Sequence, residues 1–141
     1  MPVILGSTQS LPTGEDDPYD APYAQPGKLH AAGVTFAIST FNASSARTLP
    51  YEAGQSVAYG LPRREALKAI TINPAIILGV DADLGTIETG KIANLVVIDG
   101  DPLEITSQID TLIIAGQVTS TDNKHQRLYE KYRARPKRTS E

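Results

Sequence analysis

The polar residues after one apolar segment of the chain are the first place where chemistry is expected. Residues 34–38 alternate as a strand does, and the text from residue 38 to 54 then reads ISTFNASSARTLPYEAG. Catalytic groups of α/β enzymes sit at the carboxyl ends of strands. No Asp, Glu, His or Cys occurs here before Glu52, and the candidate polar groups are Ser39, Thr40, Asn42, Ser44, Ser45 and Arg47. The sequence therefore predicts a site position that lacks a carboxylate, imidazole or thiol.

Three other polar features could bind a ligand or accept a modification. Residues 42–44 (NAS) form a glycosylation sequon, a triplet that also arises by chance. Residues 15–20 (EDDPYD) could bind Ca²⁺ or form a solvated loop. Arg47 could contact an anion or pair with Glu52. Each alternative stays open at the level of sequence.

Composition excludes several classes of protein. The chain has 141 residues, 40% of them hydrophobic and 21% charged, with a net charge of -3 that argues against nucleic acid as a partner. Without cysteine, disulfides and thiolate metal sites are excluded. No run of 18 apolar residues is present to span a membrane, and the first residues do not read as a signal peptide. The cellular compartment stays open.

The first part of the chain, residues 1–79, reads as two strand–turn–helix passages. Such passages predict parallel βα units, and hence an α/β fold. Pro62 suits a first helical turn, and Asn73 before Pro74 reads as a helix cap. The predicted elements are buried strands at 3–5 and 34–39, a proline-rich loop at 11–27, the last turn of a helix at 27–33, and helices at 51–59, 62–71 and 73–79.

The character of the sequence changes after Gly79. Residues 80–121 predict strands and tight turns, with a turn at 88–91, a buried strand at 94–98 and a hairpin through Ala115-Gly116. Residues 122–141 predict a helical tail with a helix at 123–133 and a frayed end.

The motifs of residues 59–104 carry a family resemblance. The text YGLPRREALKAITINPAIILGVDADLGTIETGKIANLVVIDGDPLE, followed by IDTLIIAGQVTS, resembles the carboxyl-terminal end of metal-dependent amidohydrolases of the imidazolonepropionase-like and prolidase-like branch. With the looser match in residues 19–54, the resemblance covers nearly the whole chain.

The resemblance implies a particular architecture. Such enzymes combine a TIM-like (β/α)8 barrel with a small β-sandwich built from both chain ends. Residues 3–5 and 34–39 would be the seventh and eighth barrel strands, and residues 1–79 would be the last two βα units. Residues 84–119 would contribute the carboxyl-terminal strands of the sandwich, ahead of the helical tail. The chain would then correspond to the last third of a complete member.

The resemblance also implies what chemistry is missing. The family holds its metal, with zinc expected, through residues of the first six strands, and an Asp ending the eighth strand is the general base. Asn42 falls at or beside that Asp, within one residue, with Thr40 just before it. An amide oxygen is hardly basic at neutral pH, although it could bind a hard cation weakly. His30 and His125 do not replace the absent ligands, so no metal or other cofactor is expected in this chain. Thr40 and Arg47 are the candidate substrate contacts.

Two kinds of function follow from the resemblance. In the first, the chain is the carboxyl-terminal part of an amidohydrolase and is inactive by itself; its partners are the rest of the barrel or further copies of itself. The parent protein would hydrolyse C–N bonds of a small amide, cyclic amide or peptide-like substrate. In the second, the chain is a binding module that kept the fold and lost the chemistry.

Overall fold

Two short strands lie side by side and parallel near the start of the chain. The computed structural model describes residues 1–133, and Val3 pairs with Phe36 across the two strands. Parallel strands need a crossover connection, which a helix supplies here. The elements of this part are β1 (Val3–Leu5), α1 (Ala21–Ala31), β2 (Phe36–Ile38), a 3-10 helix (Ala43–Thr48), α2 (Leu49–Ala58), α3 (Arg63–Ile70) and α4 (Ile72–Leu78). The predicted parallel βα units are confirmed.

The two strands differ in burial. All three residues of β2 are buried, as predicted, although the strand is shorter than 34–39. In β1 the prediction of a buried strand is wrong for Ile4, which is 40% exposed. Adjacent residues of a strand point to opposite faces, so the face of Ile4 is open while Leu5 packs in the core.

Helix α1 corrects the prediction of a loop from 11 to 27. The helix begins at Ala21, with Pro22 in its first turn, where a missing backbone N–H costs nothing. Pro26 lies inside the helix and is fully buried. Prolines therefore misled the sequence-based assignment, because one sits at a permitted position and the other is held by packing.

The helices after β2 follow the predictions except at two points. The segment between β2 and α2 contains the 3-10 helix, where a loop was expected. Asn73 lies within α4, so its prediction as a cap is wrong; its Nδ2 instead donates to the carbonyl oxygen of Phe36 at 2.8 Å. This bond ties α4 to β2. Helix α4 ends at Gly79, as predicted, and this glycine adopts the left-handed conformation.

The core lies between the strand pair and helices α2 and α3. A residue from beyond α4, Leu103, is part of it, and a β-carbon added at Gly54 would lie 2.6 Å from the Leu103 carbonyl oxygen. Arg63 and Asp101 form an ion pair beside this contact. The turn at 101–103 is therefore docked on α2 and α3. The buried apolar residues of this core cluster are Leu5, Phe36, Ile38, Ala53, Leu61, Ala66, Ala69 and Leu103.

A three-stranded antiparallel sheet forms the second part. Its strands β3 (Leu95–Ile98), β4 (Ile109–Ile114) and β5 (Gln117–Thr119) lie in that order. The predicted hairpin is confirmed: Ala115 and Gly116 both have positive φ, as the favoured two-residue hairpin turn requires. The prediction of a buried strand at 94–98 is wrong for Val96 and Val97, which are 48% and 49% exposed.

The remaining described segments are a loop and a helix. In the loop, the turn predicted at 88–91 is present, with the Lys91 N–H bonded to the Glu88 carbonyl oxygen. The predicted tail helix is α5 (Lys124–Arg133), and the frayed end predicted beyond it lies outside the described residues. No helix within residues 1–133 is both long and apolar enough to cross a bilayer.

Candidate functional site

The carboxyl ends of β1 and β2 meet at one edge, as they must in a parallel pair. Residues 6–8 leave β1 there, and residues 39–42 leave β2. A β-carbon added at Gly6 would lie 3.8 Å from Cδ2 of Phe41, so the Phe41 side chain reaches across to the end of β1. We call these two segments the strand-end site. It contains the position that the sequence singles out.

A set of local hydrogen bonds shapes the turn after β2. The Phe41 N–H donates to Ser39 Oγ at 3.1 Å, and the Thr40 hydroxyl donates to the Asn42 carbonyl oxygen at 3.0 Å. These bonds hold Phe41 at a φ of +47°, a conformation that costs a residue with a β-carbon about 1–2 kcal/mol. Phe41 as a whole residue is 73% exposed. The predicted substrate contact Thr40 therefore uses its hydroxyl inside the turn.

Asn42 caps the 3-10 helix. Its Oδ1 accepts hydrogen bonds from the Ser44 N–H at 2.9 Å and from the Ser44 hydroxyl at 2.6 Å. An amide oxygen has two lone pairs, and both are engaged. Binding a cation through this oxygen would first break these bonds. The correspondence of Asn42 to the family's general base stays a prediction.

Arg47 and Glu52 do not pair. Arg47 is exposed in the last turn of the 3-10 helix, and it takes part in none of the ion pairs found within residues 1–133. The alternative of an Arg47–Glu52 pair is therefore wrong, because the Glu52 carboxylate is buried with other partners. A contact of Arg47 with an anion stays a prediction.

Glu52 ties one segment of the strand-end site, the loop after β1, to helix α2. It is 2% exposed; its Oε2 accepts from the Thr8 N–H at 3.1 Å, and its carbonyl oxygen accepts from the Thr8 hydroxyl at 3.0 Å. Its Oε1 lies 3.5 Å from the Thr48 hydroxyl. The loop after β1 is thereby fixed to α2. Sequence reasoning missed this role, although spacing places Glu52 on one helix face with Leu49, Ala53 and Ser56.

A cleft of about 470 Å³ opens beside the strand-end site, between residues 5–13 and α1. Asp17 and Lys28 are among its lining residues, so the acidic loop at 15–20 contributes one carboxylate to it. That carboxylate accepts a hydrogen bond from the Gly14 N–H at 2.9 Å, and Glu15 and Asp16 are exposed. The acidic side chains are those of a solvated loop.

The described residues do not fit a metal ion. Within residues 1–133 no three His, Cys, Asp or Glu side chains lie close enough together to hold one. His30 is exposed on α1 and His125 is exposed on α5, on separate parts of the fold. The strand-end site offers hydroxyls, an engaged amide and an aromatic ring.

Comparison with known proteins identifies the class to which this fold belongs. A sequence model of the amidohydrolase family matches residues 23–121. The chain belongs to the amidohydrolase family.

Individual relatives point to one branch of that family. An imidazolonepropionase of Symbiobacterium thermophilum is 36% identical over 83 residues, which are 56% of this chain and 20% of that protein. The crystal structure of an amidohydrolase from Thermotoga maritima is similar with a TM-score of 0.66 and 29% identity, over 77% of this chain and 29% of that one. A Xaa-Pro dipeptidase with bound methionine is similar with a TM-score of 0.60 and 28% identity, over 70% and 25%. The predicted imidazolonepropionase-like and prolidase-like branch is confirmed, and the chain spans less than a third of each relative.

Proposed function

We propose that this chain forms the carboxyl-terminal part of an amidohydrolase and contributes the last two βα units of its TIM-like barrel. The observation that carries the proposal is the parallel pair of β1 and β2, joined through α1 and followed by further helices. A parallel sheet normally has more strands and both faces covered. Two parallel strands are therefore incomplete, which fits a chain that spans only 29% of a structural relative.

The sheet of β3, β4 and β5 supports the same proposal. Because β3 pairs with β4 and β4 with β5, alternate residues of the three strands share a face. We call one of these faces the apolar sheet face; it consists of Leu95, Val97, Ile109, Thr111, Ile113 and Val118. Several of its members are half-exposed or more, and Val118 is 77% exposed. Exposed apolar patches mark interaction surfaces, and a second sheet of a composite sandwich would cover this one.

The proposed parent reaction is metal-dependent hydrolysis of a C–N bond. The names of the relatives, imidazolonepropionase and Xaa-Pro dipeptidase, support a cyclic amide or a peptide-like small molecule as substrate. In such chemistry a divalent metal, with zinc expected, activates water. The rest of the barrel would hold it, since the described residues offer no ligand cluster. This chain would shape the site, and alone it would not hydrolyse substrate. The net charge of -3 favours neither nucleic acid nor an anionic membrane as partner.

Light scattering on the purified chain tests the proposal. An incomplete barrel and a bare sheet face should drive self-association, so we expect dimers or larger assemblies. Val97→Lys with Val118→Lys should shift the chain toward monomer. The matched control is Gln117→Lys with Thr119→Lys on the opposite face, which should leave the assemblies unchanged.

The opposite outcome in light scattering would count against the proposed function. A monodisperse monomer whose melting temperature rises with a small ligand would contradict the proposal and favour a binding module.

A further inference from the structure

We propose that Phe41 contacts the substrate, and that its ring binds an apolar, planar part of a small amide. This inference rests on the proposed function, because it takes the strand-end site as part of the barrel mouth. Phe41 lies at the predicted site position, and its side chain is neither acidic nor basic.

The position of the ring is the first argument. Phe41 lies at the carboxyl end of β2 and reaches Gly6 at the end of β1, so its side chain stands over both strand ends. Phe41 is 73% exposed, whereas all three residues of β2 before it are buried. Gly6 also lines the cleft beside the site. Phe41 itself does not line the cleft, but a ligand that extends from the cleft past Gly6 would meet its aromatic ring.

The backbone of Phe41 is the second argument. At a φ of +47° glycine or asparagine would be comfortable, and a bulky aromatic residue is not. The turn is nevertheless held by Ser39 Oγ, by the Thr40 hydroxyl and by the cap at Asn42. Backbone strain that is maintained by contacts with the surrounding structure is typical of ligand-binding positions. Burial does not explain the choice of residue, because little of the ring is covered.

The neighbouring groups define the kind of ligand. The Thr40 hydroxyl and the Asn42 amide oxygen are engaged within the turn, and the ring of Phe41 is the exposed apolar group there. Aromatic rings prefer offset-stacked or edge-to-face contacts with other planar groups. We therefore expect a substrate with a ring or a flat apolar face next to its amide.

Titration of the labelled full chain with benzamide and acetamide tests the inference by NMR. Both probes carry an amide, and only benzamide carries a ring. Benzamide should shift the amide resonances of Gly6 and of residues 39–42, and acetamide should not. Phe41→Gly should abolish these shifts, and Phe41→Tyr should preserve them. Benzamide shifts that are absent, that lie elsewhere or that persist in Phe41→Gly would overturn the inference.

Thermal melting checks the strained turn separately. Both Phe41→Gly and Phe41→Ala remove the ring, but only glycine relieves the positive φ. Phe41→Gly should melt about 3 °C above Phe41→Ala. The reverse order would contradict the strained turn on which the inference depends. The NMR experiment reports on individual residues and light scattering reports on particle mass, so a failure of this inference is distinguishable from a failure of the proposed function.

Discussion

The strand–helix part of the molecule and the three-stranded sheet are both built of regular hydrogen-bonded elements but differ in burial. In the first, β2 is buried throughout and residues such as Leu61 are 1% exposed. In the second, Val96, Val97 and Ile114 are about half-exposed, even though the strands pair in full register apart from one bulge. No residue of the three strands is fully buried, while the first part has a core of its own. The difference indicates that the sheet is built to be covered.

The sharpest test of this difference compares two truncations. Leu61→Ala should lower the free energy of unfolding by about 3 kcal/mol, because it leaves a cavity in the core. Val97→Ala on the apolar sheet face should lower the free energy of unfolding by less than about 1 kcal/mol, because folding buries only part of the valine side chain. Urea denaturation under conditions where the chain is monomeric measures both. Equal losses would mean that the sheet has a buried core of its own.

The hydrogen bonds between Glu52 of α2 and the loop after β1 predict the next largest effect. Glu52→Ala removes the acceptor of the buried Thr8 N–H, which should cost about 2 kcal/mol. Glu52→Gln keeps an acceptor oxygen and should cost less. Hydrogen exchange should show faster exchange of the Thr8 amide in Glu52→Ala than in Glu52→Gln. Unchanged protection of Thr8 in both variants would show that Glu52 does not fix the loop after β1.

The contact between α2 and the turn at 101–103 can be weakened by adding one methyl group at Gly54. A β-carbon at Gly54 would lie 2.6 Å from the Leu103 carbonyl oxygen. Gly54→Ala should therefore destabilise the chain by about 1 kcal/mol, since overpacking outweighs the better helix propensity of alanine. Gly6→Ala is the control, because its nearest neighbour would be at an ordinary 3.8 Å. Stabilisation by Gly54→Ala would contradict the close docking of the 101–103 turn on α2.

A surface pair within the first part should give the smallest effect. The Lys68 ammonium, 2.8 Å from Glu65 Oε1, holds the pKa of that carboxyl below its ordinary value of 4.5. A lowered folded-state pKa adds stability above pH 4.5, and that stability is lost as the pH falls through the folded-state pKa. Lys68→Met should cost about 0.4 kcal/mol at pH 7, as surface pairs do. The cost should shrink on acidification; a loss independent of pH would point to packing of the lysine stem.

The comparison also shows how far sequence reasoning reaches. Periodicity and turn chemistry predicted the parallel strands, the hairpin at Ala115-Gly116 and the stop at Gly79, because local sequence determines them. The start of α1 and the role of Asn73 depend on packing and on a partner 37 residues away, which no local pattern contains.

The candidate site shows the same limit. The sequence placed polar groups at the end of β2 and noted that carboxylates are absent from residues 39–51. It did not reveal that Oδ1 of Asn42 is engaged by Ser44, that Phe41 is strained, or that Glu52 is buried. Those properties follow from the three-dimensional arrangement of the two loops.

The zinc content of the purified full chain tests the central claim most directly. After exposure to excess zinc and removal of unbound metal, elemental analysis should find far less than one zinc per chain, because the ligands belong to the proposed remainder of the barrel. Stoichiometric zinc that resists washing would contradict the account and would place the metal site within this chain.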